Sequence, residues 1–436
     1  MLKVHEKIEK LSAVCDKPLY IVGGYIRNYL TGGYVSNDVD LCSSLSVSVM
    51  EANLKKCNVS VERVNEKTGN IFFTIDNLNC EYTSFKQEIY GKGGKHVPEK
   101  TVFNCDLPGD AKRRDFKCNA IYYDIKNKKI IDPFNGRGDI ANKILDTPLP
   151  PEKVFCNDGI RLLRLCRFCA ELNFIPTIEV IKSAQKYRTN ILDISYESIF
   201  AELRKIMESD CRYPFSMPEG PLFAFTLLNR IRVLPLIFEE LIQGNAKALS
   251  RAVETLKYSQ KDFRWHAFIT VLISGLQDEK KGYNNSAEEF YGKILLKYGF
   301  NKRFVKKINA LINVFQTSTD SLISDEDAML FIAENFKLID DLKALKQIEY
   351  SIDFNGNETC PFNKRIDCII KKTSDCNIPL TVKQLKITAK DLLEAGYKKN
   401  VSKTLFDLLI RVIKNPELNR KETLLKTLND NTDSII

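Results

Sequence analysis

The hydrophobic pattern changes character along the chain. Up to about residue 125, short apolar or alternating runs are separated by turn residues. Beyond about residue 150, apolar positions recur mainly at helical spacing. Residues 3–15 have helix period. Leu19–Val22 reads as a strand stopped by Gly23-Gly24, and Tyr25–Leu30 as about one and a half helical turns ended by Gly32-Gly33. Val39 and Leu41 flank Asp40 in a second strand. Residues 47–56 predict a helix, and 59–64, 70–75 and 80–85 predict strands, the last two joined by a turn at Asn77. Residues 87–110, rich in Gly and Pro, predict a long loop. A strand over 121–124 follows, then a hairpin turn, strand and loop over 127–139.

Pro148, Pro150 and Pro151 mark a linker, and a helix is expected to start near 157 with Asn157 or Asp158 as its cap. Further helices are expected over 222–230, 236–243, 246–256, 265–276, 287–298, 305–315 and 326–336. Phe354–Thr359 and the following lysines read as a turn, and 378–430 as a helical tail. The expected fold is α+β. A head with a mixed β-sheet and helices spans 1–145, followed by all-α segments: a neck at 146–210, a body at 211–350 and a tail at 351–436.

Composition narrows the function only modestly. The 436 residues are enough for two to four domains, and the net charge of +9 suits a polyanionic partner without requiring one. There are 13 cysteines but no paired Cys-x-x-Cys, and His5, His96 and His266 are scattered, so zinc chemistry is not expected. The first ten residues lack an apolar leader segment and no apolar run is long enough for a membrane span, so reduced thiols and a cytoplasmic location are expected.

The chemistry is concentrated in residues 19–41. Asp38 and Asp40 are alternate residues of a strand, pointing to one side about 6.5–7 Å apart along it. Carboxylates so placed can converge on two divalent cations held about 3.5–4 Å apart. Gly24 lets a phosphate chain approach the backbone, helix N-terminal amides add anion donors, and Arg27 adds a cation one turn on. Glu81 is a possible third carboxylate on a neighbouring strand; a polar surface role fits it equally. In Lys112-Arg-Arg-Asp-Phe-Lys-Cys-Asn-Ala120, Arg114 can take phosphates and Asp115 a sugar hydroxyl. Asp158, Arg161, Arg164 and Arg167 recur every three residues along one helix. A carboxylate beside a guanidinium pairs with an amino group beside a ring-nitrogen acceptor. Cytosine and adenine offer that arrangement; uracil and guanine offer the reverse.

In this order, Gly-Gly-x-x-Arg, Asp-x-Asp, Arg-Arg-Asp-Phe-x-x-Asn-Ala and Asp-x-x-Arg resemble the class II branch of the nucleotidyltransferase superfamily, the CCA-adding tRNA nucleotidyltransferases and bacterial poly(A) polymerases. The likeness is strong over 19–210 and moderate over 378–430. It implies template-independent addition of C, C and A to tRNA 3′ ends from CTP and ATP with Mg²⁺. Asp38 and Asp40 would serve as catalytic metal ligands; Gly24, Arg27, Arg114, Asp115, Asp158, Arg161, Arg164 and Arg167 would bind the nucleotide. By the same resemblance the body and tail grip the acceptor arm, and a loop near 87–110 is linked to the change from adding C to adding A. Glu197 and Glu202 are expected to buttress the neck arginines. The chain departs from the family pattern at Asn28 (usually Asp), Lys86 (Arg), Lys117 (Thr), Asn157 (Glu) and Ser198 (Arg). A poly(A) polymerase, a CC- or A-adding enzyme and a non-catalytic RNA-binding relative are the alternatives. Oligomeric state is not legible.

Overall fold

Two apolar residues set the register of the head. Val39 and Leu41 are both 1% exposed, while Asp38 and Asp40 between and before them face solvent, so one strand has a core face and an acidic face. The computed structural model describes residues 2–103, 105–276, 285–317, 322–356 and 358–429. Asn357 of the expected turn and residues 430–436 of the expected tail lie outside them.

The chain divides into two compact units. The first comprises residues 1–257 and 294–300. It begins with α1 (Glu6–Val14), β1 (Tyr20–Val22), α2 (Gly24–Gly32), β2 (Asp38–Ser43) and α3 (Val47–Lys56). The strands β3 (Val61–Asn65), β4 (Asn70–Ile75) and β5 (Leu78–Ser84) follow, with a left-handed residue, Asp76, at the last turn. Together with β8 (Tyr122–Asp124) and β9 (Lys129–Ile131) they make a seven-stranded sheet in the order β3-β4-β5-β2-β1-β8-β9. Among the described residues of this sheet only β2 and β5 pair in parallel, so the sheet is mixed as expected. Helix α2 is nine residues long, exceeding the expected turn and a half because Gly24 already belongs to it and Gly33 supplies the left-handed cap.

The segment expected to be a loop is instead largely ordered. β6 (Lys86–Ile89) and β7 (Lys100–Phe103) form an antiparallel ribbon apart from the main sheet, followed by α4 (Leu107–Lys112) capped by Asp106. Its strands carry lysine, glutamine and glutamate, so no apolar alternation announces them.

α5 (Gly136–Asn142) closes the head. α6 (Pro151–Asn157), α7 (Ile160–Leu172), α8 (Ile178–Lys186) and α9 (Tyr196–Met207) follow. The expected cap at Asn157 is corrected here: Asn157 is the last residue of α6. Asp158 stands extended between the two helices, and its Oδ1 accepts from the Ile160 amide at 3.0 Å. α10 (Gly220–Arg230) and further helices up to Lys257 complete the first unit's sequence-contiguous part.

The second unit comprises residues 258–293 and 301–436 and is helical. Its core gathers Leu311, Ile332, Leu342, Leu345, Ile366 and Leu408. It contains a helix over Pro361–Asp375 where lysines had suggested only a turn; Phe362, Ile366 and Ile369 supply its buried face. Among the described residues no helix is long and apolar enough to cross a membrane. All 13 cysteines are free thiols.

Candidate active site

The acidic face is built by strand register. Asp38 and Asp40 alternate on β2, and the parallel pairing with β5 puts Glu81 directly beside Asp40. The three carboxylates therefore share one side of the sheet. Asn79 Nδ2 donates to Asp38 Oδ1 at 3.0 Å, and Asn70 Nδ2 donates to Glu81. Solvent reaches Asp40, yet protein crowds it. That desolvation, then the Glu81 charge, pushes its pKa up to about 6, while Arg114 and Arg27 pull the other way.

This unrelieved negative charge on an open face fits a divalent cation. The donors are carboxylate oxygens, which suit a hard divalent cation.

The glycine turn closes on this face. Gly23 has φ +75°, and a Cβ there would lie 2.9 Å from Asp40 Oδ2 and 3.8 Å from Arg114 Nη1. Gly24, singled out in the sequence, is the first residue of α2; a Cβ there would meet only the Arg27 guanidinium, at 3.5 Å. Gly23 is thus the position that cannot carry a side chain, and only its place in the glycine pair hinted at it.

Arg114 is fixed by a buried carboxylate. Its Nε donates to the Tyr122 hydroxyl at 3.0 Å and its Nη2 to Asp110 Oδ2 at 3.2 Å. Asp110 is fully buried and also accepts from Arg113 at 2.8 Å and from Tyr122 at 2.7 Å. Burial alone would raise its pKa, but Arg114 and Arg113 outweigh burial and hold it below the usual carboxylate range.

The helix α7 reaches the glycine turn through one chain of bonds. Arg164 Nε donates to Asp115 Oδ2 at 2.7 Å. Asp115 Oδ1 accepts from Asn119 Nδ2 at 2.9 Å, and Asn119 Oδ1 accepts from Arg27 Nη1 at 2.6 Å. Burial would raise the Asp115 pKa; Arg164 and Asn119 overcome it and keep the group ionised. The buried Arg27 also donates to Asn28 Oδ1 from Nε and Nη2, at 3.0 and 2.8 Å. Asn28 thus supplies acceptor oxygen without neutralising the guanidinium. Phe168 of α7 is flanked by Arg27, Arg164 and Arg167 at 5.0, 5.1 and 4.2 Å from its centroid.

The remaining expected residues are brought to the same region but differ in freedom. Arg167 is consumed internally: it donates to Glu202 at 2.7 Å and to Glu171 at 2.9 Å, all three being buried. Asp158 and Arg161 are neighbours, Arg161 Nε lying 3.7 Å from Asp158 Oδ2. Arg161 Nη2 donates to the Arg113 carbonyl at 2.9 Å. His96, on the connection between β6 and β7, donates from Nδ1 to Asp158 Oδ2 at 2.9 Å. That connection is docked on the neck: the Gly159 amide donates to the Gly94 carbonyl at 2.8 Å, and the Gly94 amide donates to Asp193 at 2.8 Å. The sequence missed His96, Asp110 and Asn119 as partners, since none stands at a readable spacing from the group it serves. Where the resembled pattern has Arg and Thr, Lys86 donates to the Thr68 carbonyl at 2.9 Å and Lys117 pairs with Asp146.

Residues 19–146 match the family described as Poly A polymerase head domain. The chain is 24% identical to a CCA-adding enzyme of Staphylococcus epidermidis over 97% of this chain and 98% of that protein. It is 33% identical to the CCA-adding enzyme of Geobacillus stearothermophilus over 48% of this chain and 49% of the other. The fold is similar to that of the Bacillus stearothermophilus CCA-adding enzyme crystallised with CTP, with a TM-score of 0.67 and 21% identity over 99% of this chain and 100% of that one. It is also similar to a tRNA nucleotidyltransferase complexed with a primer tRNA and an incoming ATP analogue, with a TM-score of 0.61 and 20% identity over 85% of this chain and 100% of that one.

Proposed function

We infer that this chain is a nucleotidyltransferase of the class II tRNA nucleotidyltransferase and poly(A) polymerase family, and that it adds C, C and A to tRNA 3′ ends from CTP and ATP. What supports this reading is the continuous link from α7 through Arg164, Asp115 and Asn119 to Arg27. It ties α7, which carries Arg161, to α2, whose preceding glycine turn adjoins Asp40, as a single site spanning both would require.

The roles follow from the freedom each side chain retains. Asp38 and Asp40, with Glu81 beside them, would hold Mg²⁺. When bound, the cations would supply activation of the primer 3′-hydroxyl and neutralisation of the departing pyrophosphate. Arg114, Arg164 and the amides after Gly23 and Gly24 would bind the triphosphate. Asp158 would accept from the exocyclic amino group of C or A, and Arg161 would donate to the adjacent ring nitrogen. Wrong bases would leave these buried groups unpaired, which is the strong form of discrimination. Arg27, Asp115 and Arg167 would act by fixing the others. The head, neck, body and tail divisions at 145/146, 210/211 and 350/351 stand as functional segments of this scheme, with body and tail holding the tRNA and a cytoplasmic setting supplying its substrates.

The experiment is incorporation into tRNA lacking its 3′ end, with each nucleoside triphosphate supplied singly and in combination. Two C residues with CTP alone and a single further A with both are expected. A long A tract from ATP alone would make the chain a poly(A) polymerase. Asp40→Ala should abolish incorporation; unchanged incorporation would refute the carboxylate-held metal site.

A further inference from the structure

An aromatic patch lies beside the Asp38 end of the carboxylate face. Tyr34 and Val35, in the loop that leads into β2, are 36% and 46% exposed. The Tyr34 ring meets Tyr213 edge-on at 5.4 Å, and Tyr213 stacks on Phe215 at 5.2 Å with an interplanar angle of 17°. The Arg212 guanidinium lies 5.7 Å from the Tyr213 centroid. Arg212 is exposed, and hydrogen bonding to Tyr213 raises its pKa against burial, with smaller contributions from the Glu171 and Asp38 charges.

The patch is held rigidly. A Cβ on Gly32, the last residue of α2, would lie 2.7 Å from Phe215 Cδ1, so the phenyl ring packs on that glycine. The Tyr213 amide donates to Ser216 Oγ at 3.0 Å, Ser216 Oγ donates to the Glu171 carbonyl at 2.8 Å, and the Met217 amide donates to the Ala170 carbonyl at 3.0 Å. Head loop and the segment after α9 therefore present one aromatic surface.

We propose that Tyr34, Tyr213 and Phe215, with Arg212 at their edge, are the stacking platform for the single-stranded 3′ end of the RNA being extended. The proposal rests on the nucleotidyl-transfer reading. The triphosphate cations Arg114 and Arg164 gather around Gly23 and α7, whereas this patch adjoins Asp38, where the second substrate must enter. The chemistry of that substrate selects stacking. The terminal base of the primer changes with every addition, so a hydrogen-bonding pocket for one base would reject the next intermediate. Stacking accepts every base because each has a π-face, and an arginine beside the rings serves the adjoining phosphate.

The test uses the full chain and a tRNA lacking its added nucleotides, carrying 2-aminopurine as its terminal base. In the absence of nucleoside triphosphates, wild-type protein should quench the fluorophore. Tyr34→Leu and Tyr213→Leu should abolish quenching and raise KM for tRNA roughly 5- to 150-fold, with KM for CTP unchanged. Tyr34→Phe and Tyr213→Phe should behave as wild type. Unchanged quenching and tRNA KM in natively folded Leu variants would overturn the platform. If the Leu variants unfold, Arg212→Gln decides: a selective rise in tRNA KM supports the platform and none overturns it. A wild-type protein that quenches the probe but incorporates nothing would defeat the transfer reading instead, because quenching needs no chemistry.

Discussion

His96 Nδ1 lies 2.9 Å from Asp158 Oδ2, so the carboxylate that would read the incoming base is already engaged by a residue of the β6–β7 connection. The hydrogen bond to Asp158 raises the His96 pKa above its ordinary value, against burial and against the Arg164 and Arg161 charges. The pair is complete below the unfolded pKa of about 6.5 and is lost as pH rises through the raised value. If Asp158 reads the base as proposed, protonated His96 would compete with cytosine for it. KM for CTP should therefore fall as pH rises through this titration, by roughly two- to tenfold. His96→Gln should flatten that profile. An equally steep profile in the variant would show that another group titrates.

The tight approach of Gly23 to Asp40 predicts an activity defect larger than the stability defect. Gly23→Ala places a methyl group 2.9 Å from Asp40 Oδ2 and forces a side chain onto φ +75°. The backbone strain costs about 1–3 kcal/mol. A carboxylate displaced by about 1 Å costs on the order of 10²-fold in turnover. Comparing kcat with urea unfolding of the same variant checks the imbalance.

Arg167 should prove a stability residue. Removing it takes the cation from buried Glu171 and leaves Glu202 with Lys205 alone, and breaking a buried ion pair costs about 3–5 kcal/mol. Arg167→Ala should therefore unfold at markedly lower urea concentration. Below its transition, KM for CTP should change little. A large selective rise in that KM would return Arg167 to direct nucleotide contact.

Asn119 couples the two halves of the site, bonding Arg27 on one side and Asp115 on the other. Asn119→Ala leaves two buried charged groups each short of a partner, a loss of about 1–3 kcal/mol. In kcat/KM this is roughly 5- to 150-fold, equal for CTP and ATP. Arg161→Ala should instead relax the preference for C and A over U and G. Single-nucleotide competition assays separate the two patterns.

The sequence by itself determined the strands of the main sheet, the arginine-bearing helix of the neck, most helices of the body and the candidate chemistry, because these are local. Alternation put Asp38 and Asp40 on one face with Val39 and Leu41 beneath, and the glycine pair marked the turn. Helical spacing grouped Arg161, Arg164 and Arg167, whereas Asp158, expected on the same helix, stands extended just before it. The departure at Asn28 was visible as a missing charge, though not the two hydrogen bonds it accepts from Arg27. Only the tertiary structure decided which of these groups remain free. Glu81 stands beside Asp40 because β2 and β5 pair in parallel at that register. Arg167 is spent on Glu202, 35 residues away, and Asp158 on His96, 62 residues away. The ribbon over 86–103 escaped notice because its polar strands carry no period. Spacing along a chain fixes what shares a face; who answers each charge depends on long-range packing, which no local pattern encodes.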